Sequence, residues 1–384
     1  MNSGHFFLCL IITLFLFCGG RELGIDLTKY PYYSAENLIS FCKSVQDLPE
    51  QAPTVLDGLK KIIVFPENKR NFVAGFANEF LKILESKGWI VFDSITGMKT
   101  DSAAEDMGHP DIVVFYMTDF EEGSHYFYAN HWKSLPSDKF AKILISEDLN
   151  DDQNKDLAEF FAKYGDAILT RYPEALTQVL KKVSKPAPCF DFFHAATKYY
   201  FDAYQPFEQR SDKALLSGAL ADRFYPLRSI AHNLYQKKAR YLEFRPHPGY
   251  GVISDPIVET VSYARQIAKN KIGISGAGMG VTPAPYILAK TFEFPAAGVA
   301  VVMDDFVEPL MNKLGFIKNL NYISTTTNKL EDDLKFWLKP ENQERLKALS
   351  EAGHKLVLER HTLEKRVEEF EKLVSYIFTQ KKRE

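Results

Sequence analysis

The chain lacks the features that mark several common protein classes. It has four cysteines in 384 residues, and its 47 Lys and Arg are outnumbered by 50 Asp and Glu, for a net charge of −3. A nucleic-acid-binding protein would be expected to present a basic face, so this balance predicts no nucleic-acid partner. No His-x-x-x-His pair or similar metal-ligand spacing occurs, and we therefore predict no bound metal.

The cysteines are poorly placed for a disulfide-rich domain. Cys9 and Cys18 lie near the N-terminus, whereas Cys42 and Cys189 are far apart in the sequence. We expect no disulfide framework from this pattern. The chain after residue 20 also has no Asn-x-Ser/Thr acceptor for N-glycosylation. These absences make the body of the protein compatible with the cytoplasm.

A transmembrane-length apolar run is also missing. Residues 6–18 are almost entirely apolar, but about 13 residues fall short of the roughly 20 that span a bilayer. The length fits the core of a signal peptide, although a basic start and a clear cleavage site are absent. A signal peptide or weak anchor, a misassigned start and a buried helix all remain open. The segment suggests membrane anchoring, with weak membrane association, or the secretory pathway, and it leaves the localisation unknown.

What the chain does contain is the composition of a globular protein. Apolar residues make up 46% and charged residues 25%, close to the usual values, and the length is sufficient for two domains. Short apolar runs alternate with amphipathic segments, which predicts parallel strands in layered α/β units. Strands are predicted at 61–65, 89–92, 111–116, 142–146 and 167–170 in a first unit, and at 213–217, 241–244, 271–275, 299–303 and 322–323 in a second. Helices are predicted near 35–45 and at 71–87, 156–163, 227–238, 257–268 and 286–294, with one long charged helix at 342–378.

The predicted fold class is α/β, with two Rossmann-like domains facing each other across a cleft and a long C-terminal helix. We divide the chain into a hydrophobic segment at 1–20, a lead-in at 21–58, a first domain at 59–195, a second domain at 205–340 and C-terminal helices at 341–384. Ligands of such sheets bind beyond the carboxyl ends of the strands. Clefts between domains are a second common place for them.

Glycine and arginine follow the first strand of the second unit. Ser217 and Gly218 end this strand, and a glycine there lets backbone N–H groups approach an anion. Arg223 and Arg228 come next, and arginine can bind a diphosphate through two parallel hydrogen bonds. For each arginine taken singly, an ordinary surface position is an equal alternative.

Two histidines are candidate catalytic groups. His247 lies between two prolines in the run Arg245-Pro-His-Pro-Gly249 at a strand end, and this stiff turn would hold it for phosphate binding or proton transfer. His194 lies just before the link between the units, where it would suit an acceptor hydroxyl. A purely structural histidine is the alternative reading.

The run Gly276-Ala-Gly-Met-Gly280 resembles a dinucleotide-binding loop only weakly. Pro283 and Pro285 obstruct the helix that would have to begin there to hold a pyrophosphate. We expect instead a flexible loop that borders the cleft, with Gly278 close to the ligand.

The stretch 290–305 combines a helical turn carrying Lys290 and Glu293, a glycine at 298 and a buried strand that ends in two aspartates. A glutamate at the mouth of a cleft can accept hydrogen bonds from ribose hydroxyls. An ordinary helix–glycine–strand unit is the alternative.

These segments together resemble the donor domain of GT-B glycosyltransferases, in particular the group 1 enzymes and the spore-protein CgeB-like branch. The segments that carry the resemblance are Leu-Leu-Ser-Gly-Ala at 215–219, Tyr-Pro-Leu-Arg at 225–228, His-Pro-Gly-Tyr at 247–250, Lys-Thr-Phe-Glu-Phe-Pro-Ala-Ala-Gly at 290–298, and the Glu351 and Arg360 segments of the terminal helices. It covers about 210–372 and is much weaker before that range. Group 1 enzymes often carry a second acid eight positions before this glutamate, where the present chain has Pro285.

The resemblance implies a transferase whose second domain binds the donor and whose first domain holds the acceptor. It implies that Glu293 binds the donor ribose and that other residues surround the sugar diphosphate: Ser217, Gly218, Arg228, Arg245, Gly278 and Lys290. We assign catalytic roles to His247, His194 and Arg228.

The predicted reaction is metal-independent and moves a sugar, with retention, from a nucleotide-sugar co-substrate to a glycan, lipid or protein acceptor, without a permanently bound cofactor. Alternatives are a catalytically degenerate binding protein, which Pro285 favours, and an NAD-dependent sugar-nucleotide enzyme, which the poor glycine loop disfavours.

Overall fold

The computed structural model describes residues 42–49, 56–65, 76–92, 108–117, 140–146, 149, 152–221, 224–246, 255–279 and 284–383. All of them belong to one compact unit, which spans Tyr32–Glu384. The apolar segment at 6–18 and residues 35–41 of the helix predicted near 35–45 lie outside the described residues. Over 42–44 that prediction was wrong, because Lys43 pairs with Phe190 as a β-bridge.

The structure contains two α/β units, each a parallel sheet with its helices, which we term the first and second layers. The first layer is built on a six-stranded sheet with the order β2-β1-β3-β4-β5-β6. Every neighbouring pair in it runs parallel. The strands are β1 (Lys61–Val64), β2 (Ile90–Phe92), β3 (Ile112–Met117), β4 (Ala141–Ser146), β5 (Ala167–Thr170) and β6 (Cys189–Asp191). Five of the six coincide with predicted strands, whereas β6 was not predicted.

Helices cover both faces of this sheet, since successive side chains of a strand point to opposite sides. The helices are α1 (Phe76–Ser86), α2 (Asp152–Tyr164) and α3 (Pro173–Leu180). Ile62 and Val64 pack with α2 and α3, while Ile63 packs with α1. Continuous apolar runs in the strands follow directly from this double burial.

The second layer is a five-stranded sheet with the order β13-β12-β9-β7-β8, again parallel throughout. Its strands are β7 (Ser211–Gly218), β8 (Leu242–Pro246), β9 (Asn270–Ile274), β12 (Ala300–Asp304) and β13 (Ile323–Thr325). All five were predicted. The order places β9 and β7 at or next to the centre, so the loops after these two strands have neighbours on both sides.

The remaining helices, except the last, pack mainly on the second sheet or connect the two layers. They are α4 (Lys198–Asp202), α5 (Pro226–Gln236), α6 (Pro256–Ile267), α7 (Lys290–Ala296), α8 (Glu308–Lys313) and α9 (Leu330–Leu338), followed by the C-terminal α10 (Gln343–Arg360) and α11 (Leu363–Lys381). No helix among the described residues is both long and apolar enough to cross a membrane.

The C-terminal region is helical as predicted, but it is two helices rather than one. The chain leaves helical geometry at His361, and the side chain of Thr362 accepts a hydrogen bond from the backbone of Lys365 to begin α11. Helix α10 packs on the second layer, whereas Val367 and Phe370 of α11 lie in the core of the first. The sequence pattern did not show the break, because both halves are charged on one side.

A short antiparallel hairpin joins the two layers where a helix was predicted at 286–294. Its strands are β10 (Gly278–Met279) and β11 (Pro285–Tyr286). Tyr286 is 3% exposed, and its ring centroid lies 4.5 Å from that of Tyr172 in the first layer. The prediction was wrong over residues 286–289: Pro285 and Tyr286 pair as a strand, and the helix begins only at Lys290.

Cys42 and Cys189 form a disulfide, contrary to the expectation from the sequence. Their Cα atoms are 4.6 Å apart although 147 positions separate them along the chain. Backbone pairing brings them together, since Lys43 N donates to the carbonyl of Cys189 over 2.9 Å. The spacing carried no sign of this contact, because it arises from a bridge between the lead-in and β6.

The disulfide predicts a cross-linked peptide. Digestion without reductant should yield one species containing both Cys42 and Cys189, and reduction should split it. A Cys189→Ser variant should be less stable under non-reducing conditions by about 2–4 kcal/mol, because the loop would no longer be closed in the unfolded chain. Recovery of both cysteines as alkylated free thiols, from protein never exposed to reductant, would contradict the pairing.

The hairpin predicts an unusually costly glycine substitution. A methyl group added at Gly278 would overlap the ring of Tyr286, so Gly278→Ala should lower the free energy of unfolding by about 1–3 kcal/mol. Removing the ring should relieve the overlap, so the same substitution should cost less in a Tyr286→Leu background. Equal costs in the two backgrounds, measured by denaturant unfolding, would show that this contact is not the cause.

Candidate functional site

Polar side chains collect at one edge of the second sheet. Because its strands are parallel, their carboxyl ends meet at the same edge. Gly218 ends β7, Arg245 lies near the end of β8, Ser275 follows β9 and Asp304 ends β12. Of the residues predicted for the donor site, those described by the structure lie on these strand ends, on the loops that follow, or on the helices α5 and α7.

Two cations converge over Gly218. Its φ of +105° is one that residues with a side chain rarely adopt. A Cβ built there would lie 2.9 Å from Nη1 of Arg228 and 3.0 Å from Cε of Lys290. Glycine therefore permits both side chains to approach the strand end. The result is a local concentration of positive charge, which suits a diphosphate.

The side chain of Arg228 is held in place by contacts with Ser275 and Tyr225. It is 4% exposed, its Nε donates to the carbonyl oxygen of Ser275 over 2.7 Å, and its guanidinium lies 4.5 Å from the ring centre of Tyr225. This support comes from the loop after β9 and from the residue before α5. A guanidinium fixed in this way loses little conformational freedom when it binds an anion.

Glu293 lies on α7, a short helix supported from behind by α10. Nδ1 of His354 lies 3.0 Å from the carbonyl oxygens of both Pro295 and Ala296. Gly298, with φ of +76°, ends the helix in the left-handed conformation that commonly follows a helix terminus. The position of Glu293 is therefore set by contacts at the far end of its helix.

Three buried polar atoms around Glu293 have no hydrogen-bond partner among the described residues. They are Oε2 of Glu293, the hydroxyl of Tyr263 and Nη1 of Arg245. They belong to one cluster, because the ring centre of Tyr263 lies 4.8 Å from the Arg245 guanidinium and 4.9 Å from Nζ of Lys290. The ring of Tyr200 also packs edge-on against Tyr263, with 6.4 Å between the ring centroids. Buried polar groups are rarely left unsatisfied in a native protein, so this cluster is a candidate ligand site.

Asp304 organises the glycine loop beside this cluster. Its Oδ2 accepts a hydrogen bond of 2.7 Å from the backbone of Ala277. Burial raises the pKa of Asp304 to about 7, although the hydrogen bond from Ala277 acts in the opposite direction. The loop then enters the hairpin instead of a helix, as Gly278 pairs with Tyr286.

His194 lies in the first layer, beside Arg171. Nη1 of Arg171 lies 2.6 Å from Nδ1 of His194 and 3.3 Å from its Nε2. Burial, together with the charges of Arg171 and Arg366, holds the pKa of His194 well below its usual value. A neutral imidazole that accepts from Arg171 at Nδ1 carries its proton on Nε2. His194 is therefore arranged to donate a hydrogen bond rather than to take up a proton.

The structure brings together most of the predicted donor-site residues. Ser217, Gly218, Arg228, Arg245, Lys290 and Glu293 belong to the edge cluster, and Gly278 lies in the hairpin next to it. Their roles stay predictions. His247 and Arg223 lie outside the described residues. No group of three metal-binding side chains occurs in the described parts of the chain, and the predicted absence of a metal also stays a prediction.

Sequence reasoning missed Tyr200, Tyr263 and Asp304. Tyr200 lies in the link between the layers, and Tyr263 shares α6 with ordinary core residues. Neither position stands out in a sequence rich in tyrosine. Asp304 was noted only as the end of a strand, although two adjacent aspartates after an apolar run are a visible sign of a polar strand end.

The pKa of Asp304 predicts a pH-dependent effect of Asp304→Asn. In the folded state this carboxyl keeps its proton up to about pH 7, whereas in the unfolded chain it ionises near pH 4, so its contribution to stability is lost as pH rises through this window. An asparagine side chain does not ionise, so the variant does not lose stability in this way as pH rises. The stability of the variant relative to wild type should therefore increase from pH 5 to pH 8, by on the order of 1–3 kcal/mol.

Thermal unfolding at the two pH values tests this expectation. Asp332→Asn, at an exposed position on α9, is a matched control that should show no such trend. A constant difference between Asp304→Asn and wild type would contradict it.

Comparisons with known proteins agree with the fold. Residues 233–372 match a protein-family model described as Glycosyl transferase-like, which covers just over a third of the chain. No curated protein sequence matches significantly.

Several solved structures share the architecture. Sucrose-phosphate synthase from Thermosynechococcus elongatus has a TM-score of 0.57 at 10% identity, over 84% of this chain and 100% of that one. An alpha-glucosyltransferase in complex with UDP and DNA has a TM-score of 0.55 at 10% identity, over 79% and 96%. HepE from Anabaena in complex with UDP has a TM-score of 0.52 at 9% identity, over 81% and 98%. These similarities, with the two parallel sheets, show that the chain has the GT-B glycosyltransferase fold.

Proposed function

We propose that the protein is a glycosyltransferase that moves a sugar from a nucleotide-sugar donor to an acceptor hydroxyl on a glycan, lipid or protein. The observation that carries the proposal is the cluster of unsatisfied buried polar atoms around Glu293, next to Arg228 and Lys290. The cluster offers an acceptor for ribose hydroxyls and cations for a diphosphate within one strand-end site. The similar structures that hold UDP support a nucleotide as its ligand.

In the proposed reaction, the bond between the anomeric carbon and the diphosphate oxygen breaks. The electron pair leaves with the nucleoside diphosphate, the acceptor oxygen bonds to the anomeric carbon, and the hydroxyl proton is released. Arg228 and Lys290 stabilise the negative charge that develops on the leaving group. Positioned cations can do this without a divalent ion, so the proposed transfer is metal-independent. Retention of configuration rests on the family resemblance.

We assign the ribose to Glu293 and the diphosphate to Arg228, Lys290 and the strand end at Ser217 and Gly218. Arg245, whose Nη2 pairs with Glu259 over 3.1 Å, keeps Nη1 for the ligand. His194 donates a hydrogen bond from Nε2 to the transferred sugar or the acceptor. His247 stays a candidate catalytic group.

A second candidate function is nucleotide or glycan binding without transfer. Pro285 favours it, because group 1 enzymes often carry an acid at this position and here the residue lies in the hairpin that packs on the first layer. An NAD-dependent enzyme is disfavoured, since Gly278 and Met279 enter a strand and not the helix that a dinucleotide loop requires.

The assignment of Glu293 predicts weaker nucleotide binding in Glu293→Ala. Removing an ionised hydrogen-bond acceptor should weaken UDP binding about 10- to 100-fold, measured by calorimetry. Glu341→Ala is a matched control, because Glu341 is exposed and pairs only distantly with Lys339. If Glu293→Ala binds UDP as tightly as wild type, the donor-site assignment is wrong.

Transfer and binding are separated by a second assay. The wild-type protein should release nucleoside diphosphate from at least one member of a panel of UDP-, GDP- and ADP-sugars, and Glu293→Ala should not. Nucleotide binding without release from any donor, in the presence of mixed glycan acceptors, would favour the binding-protein alternative.

A further inference from the structure

Two side chains on one face of α6 contact Arg245. Glu259 and Tyr263 are four residues apart on this helix, so they lie on the same face. Oε1 of Glu259 pairs with Nη2 of Arg245 over 3.1 Å, and the ring centre of Tyr263 lies 4.8 Å from the same guanidinium. Helix α6 therefore holds Arg245 at two points that are one turn apart.

The ring of Tyr263 also contacts Lys290. Nζ of Lys290 lies 4.9 Å from the ring centre. Both this distance and the one to Arg245 fall within the roughly 6 Å over which an aromatic face attracts a cation. Because Arg245 belongs to β8 and Lys290 to α7, a single ring joins cations from two separate elements of the second layer.

The shared ring opposes a repulsion between these cations. Arg245 and Lys290 are at most about 10 Å apart, a distance at which like charges still repel at ordinary ionic strength. Lys290 also lies beside Arg228 at Gly218. The negative face of an aromatic ring attracts each cation that contacts it. The Tyr263 ring therefore favours the arrangement in which Arg245 and Lys290 stay together.

Tyr263 is itself held by its surroundings. It is half-buried and packs against the core of the second layer, and its ring meets Tyr200 edge-on. Tyr200 is 6% exposed. Ala264 and Ile267 of α6 are fully buried, which fixes the helix that carries the ring. A ring with this support restrains flexible cations before a ligand arrives, and this lowers the entropic cost of binding.

We propose that Tyr263 is a positioning residue that holds Arg245 and Lys290 beside Arg228, so that the site favours a nucleoside diphosphate over a monophosphate. The inference rests on the proposed function, since it needs this edge of the second sheet to bind a nucleotide. Each phosphate of a diphosphate carries negative charge and can engage its own cation. A monophosphate needs fewer of the cations, so loosening Arg245 and Lys290 costs it less.

Tyr263→Leu tests the role because it removes the ring and keeps an apolar side chain. The probes are whichever of UDP, GDP and ADP binds wild type most tightly, and the corresponding monophosphate, both measured by calorimetry. In wild type the diphosphate should bind about tenfold or more tightly. In Tyr263→Leu this ratio should fall about three- to tenfold, with most of the loss in diphosphate binding. Tyr235→Leu, at a half-exposed tyrosine on α5, should keep the wild-type ratio.

Tyr263→Phe is the conservative variant, since it keeps the ring and removes only the hydroxyl. It should keep the wild-type ratio, because any contact between the hydroxyl and the nucleoside is common to both probes. If Tyr263→Phe loses the ratio as fully as Tyr263→Leu, the aromatic ring is not the cause and the proposal is wrong.

The ratio distinguishes positioning from general damage, because misfolding weakens both ligands equally. If Tyr263→Leu keeps the wild-type ratio while Lys290→Ala lowers it, the role of Tyr263 is wrong and the proposed function stands. If wild type binds none of the three diphosphates or does not prefer the diphosphate, or if Lys290→Ala discriminates as well as wild type, the assignment of the donor site fails and the inference fails with it.

Discussion

Parallel pairing of the second sheet is the constraint on which the candidate site depends. Parallel strands need a crossover between successive members, and the crossovers bring every strand back to end at the same edge. Gly218, Arg245 and Asp304 come from segments far apart in the chain, yet each stands at such an end. The same edge receives α7 with Lys290 and Glu293. A cluster of charged and polar side chains thus follows from the direction of five strands.

The chain crosses between the two layers twice, near Ala196 and near Thr362, and hydrogen bonds join the two crossings. Ala196 and Thr362 pair as a bridge, and Arg366 donates over 3.2 Å to the carbonyl oxygen of His194. Arg366 also forms an ion pair with Glu369, so its buried charge is compensated. These contacts place α11 in the core of the first layer. His194 therefore belongs to a segment held at a crossing.

The hairpin formed by β10 and β11 departs from the group 1 glycosyltransferase pattern that the sequence resembles. The ring of Tyr286 contacts Gly278 and packs on Tyr172 of the first layer, so it forms part of the contact between the layers. Pro285 has no N–H to donate, and in a two-residue strand this costs little. Where group 1 enzymes often carry an acid, this chain has a packing element.

The α/β class, ten of the eleven main strands and the positions of polar residues at the strand ends could be predicted from the sequence alone, because apolar runs and strand-end glycines are local patterns. The sequence alone did not determine β6, the break at His361 or the hairpin, since these depend on contacts between residues far apart. The disulfide between Cys42 and Cys189 and the tyrosine cluster around Glu293 are of the same kind. They arise from packing between distant segments, and the residues that a side chain packs against cannot be inferred from its neighbours in the chain.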